Sequence, residues 1–180
     1  MARHIVLLRG INLGSTNRVA MPALREALAA AGFDDVKTYV QSGNVVLSSK
    51  KSARAVAQAC ENVLADAFGL DIAVVTRTRE ELAEVVRRNP LADVAMNPKR
   101  YQVSFLASEP EREVVQRLED AAAPTERMVA IGREIYAWHP EGVARSKLWA
   151  ALAGRGLGVA ATARNWTTVT ALLAMADEHP

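Results

Sequence analysis

Hydrophobic periodicity switches between the strand and helix repeats in the same order twice along this chain. His4–Leu8 reads as a buried strand that stops at Arg9-Gly10. A helix opens near Met21-Pro22, where proline's fixed φ and missing N–H are tolerated. Leu24, Leu28 and Ala31 follow at helical spacing, and Gly32 is the stop. Val36–Val40 and Val45–Ser48 read as hairpin strands around the turn Gln41-Ser42-Gly43-Asn44. Ser52–Phe68 is a helix with Val56, Cys60, Val63, Leu64, Ala67 and Phe68 on one face, ending at Gly69, and Ile72–Val75 is a strand. Residues 1–77 therefore read β-α-β-β-α-β, the split arrangement of the ferredoxin-like plait.

Thr78-Arg79-Glu80-Glu81 has the capping-box pattern and opens a short helix. With Pro90 and Pro98 behind it, 78–99 reads as a connecting helix and linker. The order then returns over 100–180. Tyr101–Leu106 is a strand, and Ser108-Glu109-Pro110-Glu111 starts a capped helix to about Ala122. Met128–Ile131 and Ile135–Trp138 form a hairpin around Gly132-Arg133. Ser146–Ala153 is a helix, Val159–Ala163 a strand, and a final helix follows Asn165. The expected fold class is α+β, two pseudo-repeated ferredoxin-like halves with a C-terminal helix appended to the second. Tyr101, Val103 and Phe105 alternate on one strand face, and Tyr136 and Trp138 on another. A plait's own helices cover one sheet face only, so the other half or a second copy of the chain must cover these, which makes a homodimer one expectation.

Composition narrows the class further. The 180 residues are 50% hydrophobic and 23% charged, enough for a core without disulfides or structural metal. No apolar run approaches the roughly 18–20 residues of a membrane helix, and Met1-Ala2-Arg3-His4 does not begin a signal peptide. The single Cys60 fits a reducing compartment, so the expectation is a cytoplasmic protein with no membrane association. His4, His139, His179 and Cys60 are too few and too scattered for a zinc cage; no metal and no cofactor are expected.

The familiar catalytic motifs are missing. There is no P-loop, no G-x-S-x-G elbow and no H-E-x-x-H. Gly154-Arg155-Gly156-Leu157-Gly158 lies between a helix and a strand, the wrong context for a dinucleotide loop, and reads as a helix stop. His139 precedes Pro140 with no evident partner, and Cys60 sits on an apolar helix face. An RNA-recognition plait would carry stacking aromatics on its third strand, but Val45-Val46-Leu47-Ser48 has none.

Charge is more telling than the net value of +2. Windows 1–25, 36–60 and 142–176 contain no acid, and carry Arg3, Arg9, Arg18, Arg25, Lys37, Lys50, Lys51, Arg54, Arg145, Lys147, Arg155 and Arg164. Inside them lie four polar clusters. The first holds Arg9, Asn12, Gly14, Asn17 and Arg18, and the second Tyr39, Gln41, Ser42, Gly43 and Asn44. The third is Arg145-Ser146-Lys147, and the fourth Thr162, Arg164, Asn165, Trp166, Thr167 and Thr168. The first, third and fourth lie where helices begin, and exposed N–H groups there attract anions. A plainer reading stands beside this one. Asn, Ser and Gly are ordinary turn residues, and Ser146 and Asn165 are natural N-caps. Solvent exposure separates the two readings.

At these clusters the chain resembles a bacterial family, domain of unknown function 1697. The matching stretches are Leu7–Gly14, Met21-Pro22-Ala23-Leu24-Arg25, Thr38–Val45, Ser146-Lys147-Leu148 and Thr162–Thr168. Where the family usually shows a second glycine and a lysine after the first motif, this chain has Ser15-Thr16-Asn17-Arg18. The resemblance implies paired ferredoxin-like halves and a cytoplasmic protein, with no established activity, catalytic residue or cofactor.

The leading functional expectation is a binding protein for an anionic ligand, a phosphate-bearing small molecule or nucleic acid. Arg9, Arg18, Arg145, Lys147 and Arg164 would supply charge, Asn12, Asn17, Gln41, Ser42, Asn44, Ser146, Thr162 and Asn165 hydrogen bonds, and Trp166 a stacking surface. The alternatives are an enzyme acting on a phosphorylated or nucleotide substrate, for which no cluster offers Asp, Glu, His or Cys, and a structural or homodimerisation module.

Overall fold

A computed structural model describes residues 1–178. In chain order the elements are β1 (Ala2–Leu8), α1 (Met21–Ala30), β2 (Asp34–Tyr39), β3 (Asn44–Ser49), α2 (Ala53–Phe68), β4 (Val74–Thr78) and α3 (Arg79–Arg88). Then come β5 (Tyr101–Leu106), α4 (Arg112–Ala121), β6 (Arg127–Ile131), β7 (Glu134–Trp138), α5 (Lys147–Ala153), β8 (Ala161–Asn165) and α6 (Trp166–Asp177). The strands form two four-stranded antiparallel sheets, ordered β2-β3-β1-β4 and β6-β7-β5-β8. This is the expected α+β architecture, β-α-β-β-α-β twice. The chain divides into two compact units, Met1–Glu84 with the chain from Ala171 onward, and Val85–Thr170.

In the first unit, Val6 and Leu8 of β1, Val45 and Leu47 of β3 and Val74 of β4 share one sheet face. They pack with Met21, Leu24 and Leu28 of α1 and Val56, Cys60 and Leu64 of α2. The α2 stripe follows helical spacing, so one side of that helix is core and the other solvent. Ser52 Oγ accepts the Ala55 N–H at its start, and Gly69 ends it at φ 66, a left-handed stop glycine takes without a Cβ penalty. Burial pushes the Cys60 thiol up to about 12, so it is core rather than nucleophile. In the second unit, Leu106, Ile135, Ala137 and Ala161 pack with Leu118 of α4 and Leu148 and Leu152 of α5.

The opposite sheet faces are buried too. Tyr101, Val103, Phe105 and Tyr136 are at most 1% exposed. Trp166 stacks on Tyr101 with ring centroids 4.8 Å apart, and the Tyr136 hydroxyl donates to the Val85 carbonyl at 3.1 Å. Trp138, the other aromatic expected on these faces, is half-buried.

The repeat runs deeper than the sequence pattern. The Leu8–Val74 and Leu106–Ala161 pairs make Arg77 and Arg164 equivalent positions. Each donates from Nη1 to the preceding carbonyl, Arg77 to Thr76 at 2.9 Å and Arg164 to Ala163 at 2.8 Å. Thr78 and Asn165 then open equivalent helices. Glu81 N–H donates to Thr78 Oγ1 at 3.2 Å while Thr78 N–H donates to Glu81 Oε2 at 2.8 Å, the capping box expected there. Thr168 N–H donates to Asn165 Oδ1 at 2.9 Å. The final helix thus has a counterpart in α3, which follows β4 as α6 follows β8. The second expected capping box does not form: α4 begins at Arg112 behind an extended Glu111 with no side-chain cap, which leaves Ser108 outside the first turn. No helix among the described residues is long and apolar enough to cross a membrane.

Candidate functional site

The long connection from β1 to α1 is built on left-handed residues. Gly10, Asn12, Gly14 and Asn17 have φ of 67, 52, 59 and 49°. Asparagine tolerates this region because its short amide bonds locally. The Asn12 N–H donates to the Asn17 carbonyl at 3.0 Å, and Asn17 Nδ2 donates to the Gly10 carbonyl at 3.2 Å. Asn12 Oδ1 accepts the Val19 N–H at 2.9 Å, and its Nδ2 donates to the carbonyls of Val19 at 2.9 Å and Gln41 at 2.7 Å. One side chain thus ties the loop to the β2–β3 turn, and the first and second clusters meet.

That turn is set by Gly43 and Asn44. Gly43 has φ 81, and a Cβ there would lie 2.7 Å from Leu8 Cβ and 2.9 Å from Ile11 Cδ1. Its carbonyl accepts the Leu8 N–H at 2.9 Å. Asn44 is fully buried, and its Nδ2 donates to the Tyr39 carbonyl at 3.2 Å and to Ser42 Oγ at 2.9 Å. Arg9 is half-buried at the start of the loop, its N–H on the Ala73 carbonyl at 3.0 Å.

Loop, turn and the start of α1 enclose a cleft of about 660 Å³. Arg18 enters from the loop, Arg25 from α1, and Val40 and Gln41 from the turn. Arg25 Nη1 donates to Thr38 Oγ1 at 2.6 Å, which fixes its direction. Arg18 is exposed, and its Nε reaches the Gly14 carbonyl only at 3.4 Å. No side chain caps α1, and its first turn holds no acid. Among the described residues, no Asp, Glu, His or Cys lines the cleft. Two guanidinium groups beside a helix N-terminus, without a carboxylate, make it electropositive.

The family model described as "Protein of unknown function (DUF1697)" matches residues 1–136. The chain belongs to the DUF1697 family. The matched span contains the whole of this cleft, while the third and fourth clusters lie beyond it. This DUF1697 chain is also similar to the conserved bacterial protein SP0830 from Streptococcus pneumoniae, at 22% identity, over 98% of this chain and 99% of that one, with a TM-score of 0.78. That likeness is one of fold. No curated protein matches the chain.

The third cluster lines a separate cleft of about 630 Å³ in the second unit, where Arg145 and Lys147 stand among Asp120, Glu126 and Glu141. Ser146 Oγ donates to Glu126 Oε2 at 2.6 Å and accepts the Trp149 N–H at 2.9 Å, capping α5. Sequence reasoning leaves His139 without a partner, and the structure corrects this. Its Nδ1 lies 2.5 Å from Glu126 Oε2 and 3.2 Å from Ser146 Oγ. The partner sits 13 residues away across the β6–β7 hairpin, which local spacing does not reveal. Serine, carboxylate and imidazole resemble a hydrolytic triad, but both oxygens meet the same ring nitrogen. A relay needs the hydroxyl on one nitrogen and the carboxylate on the other. Burial pushes the Glu126 carboxyl up, but donors from Ser146, the Ala123 N–H and His139, with the charge on His139, outweigh it and hold the group below its usual range. A carboxylate so stabilised is a weak base. The trio is a buried cap network.

In the fourth cluster Thr162 and Arg164 are buried, Asn165, Trp166 and Thr168 are half-buried and Thr167 is exposed. Arg164 is 9% exposed and donates to Thr162 Oγ1 at 2.6 Å, and burial pushes its guanidinium down to about 10. Asn165 caps α6, and Trp166 packs on Tyr101. Sequence reasoning missed Arg25 and Thr38 as site residues. Both lie inside matched motifs and acid-free windows, so the signal was present. Among the described residues no three of His, Cys, Asp and Glu gather as metal ligands, and His179 lies outside them.

Proposed function

We propose that this DUF1697 protein binds a phosphate-type anion in the cleft at the start of α1. The observation that carries the reading is the convergence of Arg18 and Arg25 on one cleft that, among the described residues, no carboxylate lines. Guanidinium forks match phosphate oxygens, and a concave wall reduces screening of their charge. The bland account of turn and cap residues absorbs Asn12, Asn17, Asn44, Ser146 and Asn165, all of which bond to their own backbone or its neighbours. It absorbs neither of the cleft arginines, since Arg18 is exposed and Arg25 is held by a single hydroxyl. The absence of an acid–base residue from the lining favours binding over general acid–base catalysis at this site.

The test is calorimetric titration of the full chain with inorganic phosphate and pyrophosphate at low and high salt, on wild type, Arg18→Ala and Arg25→Ala. Binding should weaken with salt and fall by about tenfold in each variant, the size of a lost charged hydrogen bond. A wild type that binds neither anion at low salt refutes the reading, as do variants that bind as the wild type does.

A further inference from the structure

Val40 occupies a conformation that its side chain opposes. Its φ is 50°, in the left-handed region, and it is 55% exposed. There the Cβ crowds the following carbonyl oxygen, and a β-branched residue is a true outlier. The surrounding loops meet the same demand with Gly10, Asn12, Gly14, Asn17 and Gly43. A buried valine would offset the strain by its packing, but this one leaves more than half its surface in water. Strain that local packing does not offset points toward function. Val40 lies on the wall of the α1 cleft beside Gln41, whose side chain is also exposed, and the same cleft holds Arg18 and Arg25.

We infer that Val40 and Gln41 form the recognition edge for the body of the ligand, and that the ligand is a small phosphate monoester with an apolar or aromatic body of the nucleoside kind. The inference rests on the anion reading of this cleft and narrows it. The phosphate faces Arg18 and Arg25, the flat body covers the Val40 isopropyl group, and the Gln41 amide bonds the body's polar edge. The volume of about 660 Å³ falls within the range of small-molecule sites, roughly 300–1,000 Å³.

The experiment compares adenosine 5′-monophosphate with inorganic phosphate on the full chain, for wild type, Val40→Asn and Val40→Gly. Asparagine suits the left-handed region, so Val40→Asn should raise the melting temperature by about 2–4 °C, what relief of this strain is worth in a chain of this size. Val40→Asn and Val40→Gly should both lose about 5–10-fold in affinity for the nucleotide and leave inorganic phosphate unchanged. Two results overturn the inference while leaving the anion site standing: a wild type that binds both probes equally, or variants that bind the nucleotide as well as the wild type. Failure of both probes to bind the wild type overturns the anion site itself and this inference with it.

Discussion

Replacing Gly43 by alanine tests how tightly the β2–β3 turn is seated on the core. The residue has φ 81, so any Cβ incurs the left-handed penalty of about 1–2 kcal/mol. That Cβ would also lie 2.7 Å from Leu8 Cβ and 2.9 Å from Ile11 Cδ1. Leu8 and Ile11 are 1% and 2% exposed, so neither can swing into solvent. Overpacking of such a core costs about 1–3 kcal/mol. The stiffer unfolded chain returns about 0.4–1 kcal/mol, leaving a net loss of about 2–4 kcal/mol. For a chain of this size that is a fall of about 5–15 °C in melting temperature. Gly132, in the β6–β7 turn, is the control. It has φ 57, but nothing lies within 4 Å of its added Cβ. Gly132→Ala should therefore cost only about 1 kcal/mol, the backbone part alone. Thermal and urea unfolding of both variants give the comparison. A Gly43→Ala shift no larger than that of Gly132→Ala would refute the reasoning, because the collision would then contribute nothing. Since Gly43 follows Gln41 by two residues, the same substitution should also weaken anion binding.

Arg164→Ala should lower stability by about 2–4 kcal/mol, since it removes a buried guanidinium from Thr162 and the Ala163 carbonyl, whereas Arg18→Ala should leave the melting temperature within about 1 °C; urea titrations compare the two. The Glu126 carboxyl is held below its unfolded value, so the unfolded chain takes up the proton first as pH falls. Its contribution is present in full above the ordinary carboxylate pKa and is lost as pH drops through the folded one. Glu126→Gln should therefore destabilise the protein at pH 7 and flatten its stability profile on the acid side, and an unchanged slope there would contradict the network. Cys60, with its thiol raised to about 12 in a closed core, should resist a thiol reagent in the native protein and react in urea; rapid native labelling would show that α2 opens easily.

Elements whose core contacts repeat at a fixed period were legible in the sequence. Tyr101–Leu106 was read to the residue, and α2 was displaced only by its cap, because Val56, Cys60 and Leu64 recur at helical spacing. β4 was misplaced: Ile72–Val75 was expected and Val74–Thr78 observed, since polar Thr76 and Arg77 look like the end of a strand. Arg77 is nevertheless fully buried, and no local pattern announces a buried arginine. The first two clusters were visible as turn residues among cations, but their meeting was not, because it depends on Asn12 reaching the Gln41 carbonyl 29 residues away. The left-handed Val40 could not be read at all, since valine is the residue least expected there.

The two halves share strand order and buried arginines, so their differences locate what the shared fold does not require. Between β1 and α1 the chain runs through residues 9–20, while the equivalent stretch between β5 and α4 is only 107–111. The short version suffices to connect a strand to a helix in this architecture. The longer one adds Asn12, Arg18 and the left-handed turns, which build one wall of the α1 cleft. The helix starts differ in sign as well. α4 opens behind Glu111 with Glu113 in its first turn, a carboxylate placed to answer the helix dipole, whereas α1 opens behind Ala20 with no acid and no cap. A fold that needed only stability would neutralise both ends in the same way. The first half instead leaves the first turn of α1 without an acid and sets Arg18 and Arg25 beside it, and the anion proposal rests on this difference between the halves.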